Sequence, residues 1–393
     1  MRSNHHPVCD YGKAALIFLL VPIFLVRNVP VDAWQPSSLT AAGPARSTSP
    51  SSVLVLRAAA KGFGAAPSNK ATKKPNTKQI LKQLEKTYGG TTPQDIARGT
   101  QLQIDASLQS QPSHIQMAIQ IYQRLQRWNH QLDGMTVLEQ TKIPVEDMEG
   151  AKRAQAELER LMQEHEFTQR DLHNLLQKAT WDASADAKAA RSITGEMPAD
   201  IQKRVQAGCD VAVQRAQETA GDVDKVQVLD VGCGFGVLVP FLRKAGLQDD
   251  QIHGIDLSPE MIRNAQQWYP QCHLEAADFY SYEPSNHNIN KFDALIFCSS
   301  LHDLPDMMSA TLPKARNLLR PYGGTLVILH PQGASHVQNQ VRSNPTMVLR
   351  GLPTTEELQS LAGFRLIQEP ASPKSREESR NGYLAVLERT AEE

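Results

Sequence analysis

The chain has no cysteine pattern that would support a disulfide framework or a zinc site. Its five cysteines are scattered through 393 residues, and no two of them form a Cys-x-x-Cys pair. Disulfide-rich domains and zinc sites depend on such paired spacings, so neither is indicated. A reducing compartment fits this composition best, and no bound metal ion is expected.

Neither sign of charge dominates the sequence. The formal net charge is -1 at pH 7, with 21% charged and 40% hydrophobic residues, and these are ordinary values for a globular protein. A chain whose principal partner is nucleic acid usually carries a strong positive field. No nucleic-acid partner is therefore expected.

The N-terminal apolar run is too short for a mature transmembrane helix. It covers residues 14–26 and follows Arg2 and Lys13. A bilayer span takes about 20 apolar residues, whereas a shorter run behind a positive start is typical of a signal peptide. Val31 and Ala33 suit a cleavage site, so residues 1–33 are predicted to be a signal peptide. A retained membrane anchor is the alternative.

Acidic residues are missing from residues 33–84, where Lys and Arg occur among many Ser, Thr, Ala and Pro residues. This composition is typical of a transit peptide and predicts that residues 34–78 are a transit peptide or a disordered basic linker. With Trp34 just past the junction, the whole leader resembles the bipartite leaders of algae with complex plastids. The resemblance implies delivery to the plastid (chloroplast) stroma. The alternative is a secreted protein.

Residues 79–179 are rich in Gln, Glu, Ala, Leu and Arg, and they show the apolar spacing of amphipathic helices. One predicted stripe consists of Met117, Ile121, Leu125 and Trp128. The region is predicted to be a helical accessory region whose apolar residues form packing surfaces. Two further helices, broken near Gly195 and Pro198, are predicted to follow it.

From residue 226 onward, short β-branched runs alternate with helical segments. Such alternation predicts an α/β fold, a doubly wound, seven-stranded, Rossmann-like sheet over residues 180–393 that follows the helical region. No helix separates the last two strands, so they are expected to pair as an antiparallel hairpin at the sheet edge. Ligands of such sheets bind at the carboxyl ends of the strands.

The stretch VLDVGCGFG, residues 228–236, joins the first strand of this sheet to the next helix. Gly232, Gly234 and Gly236 are spaced G-x-G-x-G, whereas the dinucleotide fingerprint is G-x-G-x-x-G. Asp230 stands two residues before the first glycine. A carboxylate there suits a cofactor with a cation near the loop, such as the ammonium group of S-adenosylmethionine (SAM). A nicotinamide-dependent oxidoreductase is the alternative.

Two further acidic residues follow the next strands. Asp256 closes the second strand, where a carboxylate can accept hydrogen bonds from both ribose hydroxyls. Asp278 can accept one from an adenine amino group, and Phe279 can pack on the ring. Each could be a solvated loop residue. Together, however, Asp230, Asp256 and Asp278 occupy corresponding positions at the ends of three successive predicted strands, and this favours a nucleoside cofactor.

Five ordered segments resemble class I SAM-dependent methyltransferases of the small-molecule type. They are DVGCGFG, GIDLSPEMIRNA, AADFY, FDALIFCSSLHDLPD and LLRPYGGTLVIL. The resemblance implies SAM as cofactor and methyl transfer (EC 2.1.1) to an acceptor that the motifs do not name. It implies a cofactor site made of Asp230, Gly232, Gly234, Gly236, Asp256, Leu257, Met261, Asp278, Phe279, Cys298 and Ser299.

Methyl transfer from an activated sulfonium mainly needs alignment of the partners and, for some acceptors, removal of one proton. The catalytic candidates are His302, Asp303 and His330, which follow the fourth and fifth strands. His302 and Asp303 could instead hold the loop by hydrogen bonds. The polar segment 330–358 is expected to form a substrate lid or a surface loop and helix.

The predicted function is methylation of a small molecule. Two alternatives stay open. The chain could methylate a protein recruited by the helical region, or it could be a non-catalytic SAM-binding assembly factor. Trp181 and Asp182, just upstream of the sheet, could face the site or pack within the helices.

Overall fold

The computed structural model describes residues 77–194, 197–284, 291–371 and 382–390. The predicted signal peptide lies outside these residues, and so does the predicted transit peptide except for residues 77 and 78. All the described residues belong to one unit of the structure. None of the helices in this described part is long and apolar enough to cross a membrane.

Helices fill the described chain before the first strand. They are α1 (Thr77–Tyr88), α2 (Pro93–Gln109), α3 (Ser113–Asp133), α4 (Val137–Gln140), α5 (Val145–His165), α6 (Gln169–Thr194) and α7 (Ala199–Ala220). The predicted break near Gly195 and Pro198 is confirmed, because α6 ends before it and α7 begins after it. Helix α6 runs without interruption through residue 180.

The predicted apolar stripe of α3 is only partly correct. Leu125 is buried, but Met117 is 47% exposed, and the buried face passes instead through Ala118, Ile119 and Tyr122. One residue turns a helix by about 100°, so an error of one position moves a side chain from the packed face to its flank.

The sheet and its helices follow. The strands are β1 (Val228–Val231), β2 (Ile252–Asp256), β3 (His273–Ala276), β4 (Ala294–Cys298), β5 (Thr325–His330), β6 (Phe364–Gln368) and β7 (Tyr383–Arg389). The helices are α8 (Val239–Lys244), α9 (Pro259–Trp268), α10 (Leu312–Leu318), α11 (Ala334–Ser343) and α12 (Thr355–Gln359). A π-helical turn, Met307–Thr311, leads directly into α10.

The strand order is β3-β2-β1-β4-β5-β7-β6. Strands β1 to β5 are parallel, and β7 pairs antiparallel with both β5 and β6. The predicted seven-stranded, doubly wound sheet with an antiparallel last strand is confirmed. The order reverses between β1 and β4, so the crevice at their carboxyl ends is where a ligand is expected.

The sheet separates two apolar cores. Alternate strand residues face opposite sides, so Leu229 and Leu295 belong to one core, whereas Val228 and Ile296 belong to the other. The first core also contains Tyr122 of α3, together with leucines of α5 and α6. The second contains the buried face of α7. The helical region therefore shares its core with one face of the sheet.

Candidate active site

The carboxyl ends of β1, β2 and β4 and the loop after β3 open onto a cavity of about 540 Å³. That volume is within the range of small-ligand sites. Most of the predicted site residues line it: Asp230, Gly232, Gly234, Asp256, Leu257, Met261, Asp278, Phe279, Cys298, Ser299 and Asp303. The predicted residues Gly236, His302 and His330 lie outside the lining.

The glycine loop turns sharply over the end of β2. Gly232, Gly234 and Gly236 have φ values of +74°, +55° and +82°, a region that residues with a Cβ rarely adopt. The backbone N–H groups of Gly232 and Cys233 both donate to the carbonyl of Ile255, at 2.8 and 3.0 Å. These bonds fix the loop against β2.

The three glycines have different surroundings. A Cβ on Gly232 would lie 2.5 Å from the Cβ of Ser300, and one on Gly236 would lie 2.7 Å from the Tyr269 ring. A Cβ on Gly234 would meet nothing within 4 Å. Gly232 and Gly236 therefore allow close packing, whereas Gly234 leaves open space where the loop borders the cavity.

Asp230 is a buried carboxylate with an unsatisfied oxygen. The residue is 4% exposed, and its Oδ1 has no hydrogen-bond partner in the structure. Burial, with a smaller contribution from the charge of Asp256, raises the pKa of Asp230 to about 8. A carboxylate in this position would be stabilised by a cationic group in the cavity.

Asp256 is held in place by the glycine loop. Its carboxylate accepts hydrogen bonds from the backbone N–H groups of Gly234 and Ser258, each at 2.9 Å. Burial raises the pKa of Asp256 to about 6, although these two hydrogen bonds oppose the shift. The carboxylate is thus oriented beside the glycine loop.

Asp278 receives a partner that the sequence did not predict. Its carboxylate accepts from Asn174 Nδ2 at 3.1 Å and from the backbone N–H of Tyr280 at 3.0 Å. Phe279 is 4% exposed and meets Phe297 edge-on, with ring centres 5.6 Å apart. Asn174 belongs to α6 and also lines the cavity.

Asp303 is the catalytic candidate that reaches the cavity. Burial raises its pKa to about 7, although the charge of Lys188 and a hydrogen bond from Gln177 lower it. His302 Nε2 lies 3.6 Å from Asp303 Oδ1. Near neutral pH this carboxyl group can therefore exist in both protonation states.

His302 and His330 are buried, and their rings lie beside that of the half-buried His336. The ring centre of His330 is 5.2 Å from that of His302 and 5.5 Å from that of His336. Burial lowers the pKa of His302 to about 4 and that of His330 well below its usual value. These are neutral imidazoles outside the cavity lining. Within the described residues, no group of three or more His, Cys, Asp or Glu residues is arranged to hold a metal ion.

One face of α6 forms a wall of the cavity through Asn174, Gln177, Trp181 and Lys188. Trp181 Nε1 donates to Gln177 Oε1 at 2.8 Å, and Lys188 Nζ lies 4.2 Å from the centre of the Trp181 ring. Trp181 therefore faces the site. Asp182 instead accepts from Ser258 Oγ at 2.5 Å and so joins α6 to α9.

A buried hydrogen-bond chain links α3 to the Asp303 loop. His173 Nδ1 lies 3.2 Å from the Tyr122 hydroxyl, and His173 Nε2 lies 3.0 Å from the Asp303 carbonyl. Burial lowers the pKa of His173 to about 4, so its ring is neutral. Because a carbonyl only accepts, Nε2 carries the hydrogen and Nδ1 accepts from Tyr122. Gln177 Nε2 also donates to the Asp303 carbonyl, at 3.3 Å.

The opposite wall is largely apolar. Met197, Ile201 and Val205 line it from the start of α7 and the residues before it, and Pro331 and Gln332 line it after β5. Most of the segment 330–358 lies elsewhere and contains α11 and α12. Only its first residues line the cavity, so the expectation that this segment covers the substrate stays a prediction.

Residues 228–323, from the start of β1 to the turn before β5, match the sequence model of a family described as a methyltransferase domain. No curated protein sequence matches the chain.

Several solved structures are similar to this one. Magnesium protoporphyrin IX methyltransferase from Synechocystis PCC 6803, with bound S-adenosylhomocysteine (SAH), is 19% identical and has a TM-score of 0.38. The match covers 55% of this chain and 99% of that one. A TehB-like SAM-dependent methyltransferase from Corynebacterium glutamicum is 18% identical, with a TM-score of 0.35, over 54% and 98%. The plantazolicin methyltransferase BpumL, in complex with a pentazolic desmethylPZN analog and SAH, is 13% identical, with a TM-score of 0.38, over 55% of this chain and 95% of that one.

Proposed function

We propose that the chain transfers a methyl group from SAM to a small-molecule acceptor in the cavity. The observation that carries this proposal is Asp230, a buried carboxylate beside a glycine loop with one oxygen left without a hydrogen bond. A buried polar atom without a partner is unfavourable, and a cationic ligand would satisfy it. The match of residues 228–323 to a methyltransferase domain supports the same proposal.

The residues around the cavity fit this cofactor. Asp230 and the glycine loop would hold the methionyl ammonium group, Asp256 the ribose hydroxyls, and Asp278 the adenine amino group. Asn174 would keep the Asp278 carboxylate in position. The remaining contacts would come from Leu257, Met261, Phe279, Cys298 and Ser299, all of which line the cavity.

When bound, SAM supplies a methyl group that is already activated on a sulfonium. The protein then has to align the acceptor, exclude water and take up a proton where the acceptor loses one. Asp303 suits the last task because it lines the cavity and has a pKa of about 7. We therefore assign the role of general base to Asp303 rather than to His302 or His330.

Calorimetric titration of the purified chain with SAM tests the proposal. We expect saturable binding that weakens by at least about tenfold in Asp230→Asn, because a charge-assisted hydrogen bond is lost. Asp250→Asn is the matched control, since Asp250 is exposed and is not among the residues that line the cavity. Failure of the correctly folded wild-type chain to bind SAM would refute the proposal.

We also propose that residues 1–78 direct the chain to a plastid. The support is compositional: a short apolar run and then a stretch free of acidic residues with Trp34 at its start. Fusion of residues 1–78 to a fluorescent protein in an alga with complex plastids should give plastid fluorescence. Fluorescence that stays in the secretory pathway would contradict the proposal.

A further inference from the structure

Acidic groups outnumber basic groups around the cavity. Four of its described lining residues are aspartates, Asp230, Asp256, Asp278 and Asp303, whereas Lys188 is the one cation among them. The Oδ1 atom of Asp230, in a residue that is 4% exposed, has no hydrogen-bond partner. This lining is therefore built for ligands that bring positive charge.

Bound SAM would not remove the whole imbalance. Its sulfonium and ammonium groups carry two positive charges and its carboxylate one negative charge, so it adds a single net positive charge. Carboxyl groups would still outnumber cations in the occupied cavity, and a carboxylate formed above its raised pKa would lack a counter-charge there. Because uncompensated charge is costly to bury, an acceptor that adds negative charge is disfavoured and one that brings a cation is favoured.

Asp303 is the carboxylate that the cofactor leaves available. The other three have assigned roles at the methionyl, ribose and adenine groups. The backbone carbonyl of Asp303 is fixed by His173 at 3.0 Å and by Gln177 at 3.3 Å, so the loop is held while the carboxylate borders the cavity. Lys188 lowers the pKa of Asp303, but burial has the larger effect and raises it to about 7.

The wall formed by Met197, Ile201 and Val205 offers hydrocarbon surface in the same cavity. Apolar ligand surface buried there contributes about 25 cal/mol per Å². A ligand that fits both features has an apolar body and a single cationic end.

We propose that the acceptor is an apolar primary or secondary amine whose nitrogen faces Asp303. This rests on the proposed function. The ammonium form of the acceptor gives one proton to the Asp303 carboxylate. The freed nitrogen lone pair then forms the N–C bond to the methyl carbon while the C–S bond breaks and its electron pair passes to sulfur. The products are the N-methylated ammonium ion and a neutral thioether, and the Asp303 proton is released to solvent.

Matched probes test the proposal. The chain is first saturated with S-adenosylhomocysteine and then titrated with two sets that differ only in the polar end. The first set consists of 2-phenylethylamine, 2-phenylethanol and 3-phenylpropionate. The second set consists of octylamine, octanol and octanoate. In at least one set the amine should bind about tenfold more tightly than the alcohol and the carboxylate, as a charge-assisted hydrogen bond predicts. The preferred amine should also acquire label from methyl-labelled SAM.

Asp303→Asn should weaken amine binding by about tenfold and leave the affinities for alcohol and S-adenosylhomocysteine unchanged. Asp306→Asn is the control, because Asp306 is exposed and pairs with Arg170 at 2.8 Å outside the cavity lining. A wild-type chain that prefers the amine in neither set overturns the proposal, and so does an Asp303→Asn chain with unchanged amine affinity. Absence of S-adenosylhomocysteine binding at the first step would instead refute the proposed function.

Discussion

At the scale of single residues, identical residue types with regular spacing have different roles. Gly234 and Gly236 both have positive φ values, yet a Cβ on Gly236 would collide with the Tyr269 ring and one on Gly234 would enter open space. The guanidinium of Arg243, a residue of α8, lies 5.2 Å from the centre of the Tyr269 ring. Gly236 therefore supports the fold, whereas Gly234 borders the ligand.

Alanine substitutions should separate these two roles. Gly236→Ala combines backbone strain with a steric clash, and we expect it to lower the free energy of unfolding by about 2–4 kcal/mol. Gly234→Ala should lower it by only about 1–2 kcal/mol from backbone strain, but it should weaken S-adenosylhomocysteine binding by at least about tenfold. Urea unfolding and calorimetry measure both quantities. Equal effects of the two substitutions on stability would contradict this assignment.

The catalytic candidates show why the sequence alone could not predict which of two adjacent residues faces the cavity. His302 and Asp303 lie in one 3-10 turn, Leu301–Asp303, in which successive side chains point about 120° apart. One of them faces the cavity and the other faces the core. The sequence places both after β4, but only the packed structure determines which one a ligand can reach.

At the scale of elements, the strands were predictable and the role of the helical region was not. Short apolar runs such as 228–231 and 294–298 contain their own strand signal, and the lack of a helical pattern in the sequence between the last two strands predicted the antiparallel pairing of β6 and β7. By contrast, no local pattern shows that Tyr122 and Leu125 share a core with β4. Such contacts depend on tertiary packing between distant segments.

Helix α6 is the element whose role the sequence predicted least completely. Asn174, Gln177, Trp181 and Lys188 are spaced by three, four and seven residues and line the cavity on one face. The sequence pattern singles out only Trp181 and Asp182 on this helix, and of these Trp181 faces the cavity. The helical spacing of polar residues was visible, but it has the same appearance as a solvated face.

Tyr122→Phe tests the link between α3 and the Asp303 loop. The substitution leaves the buried Nδ1 of His173 without its donor, so we expect a loss of about 1–3 kcal/mol in the free energy of unfolding. Tyr322→Phe is the control, because Tyr322 is 68% exposed. Chemical unfolding of both variants measures the difference. A Tyr122→Phe chain as stable as the control would show that this hydrogen bond contributes nothing.

At the scale of the whole molecule, the groups buried around the cavity should make stability depend on pH. The folded pKa values of Asp230 and Asp303 are raised to about 8 and about 7. The folded protein therefore keeps protons that the unfolded chain has already lost, and its stability falls as pH rises toward these values. The buried histidines act in the opposite direction, because His173 and His302 have pKa values lowered to about 4. Their contribution to stability is fully present once the pH exceeds about 6.5, the pKa of histidine in the unfolded chain.

Between pH 6.5 and pH 8.5 the two aspartates should therefore dominate. One titrating group changes stability by about 1.4 kcal/mol per pH unit, so we expect the ligand-free chain to lose about 1–2 kcal/mol over this interval and its Tm to fall by a few degrees. S-adenosylhomocysteine should reduce the fall, because its ammonium group favours the ionised form of Asp230. Its stabilising effect should then be larger at pH 8.5 than at pH 6.5. Thermal unfolding at both pH values, with and without the ligand, measures this, and Asp230→Asn should remove most of the difference. A ligand-induced Tm shift that does not change with pH would show that Asp230 does not pair with the bound ammonium group.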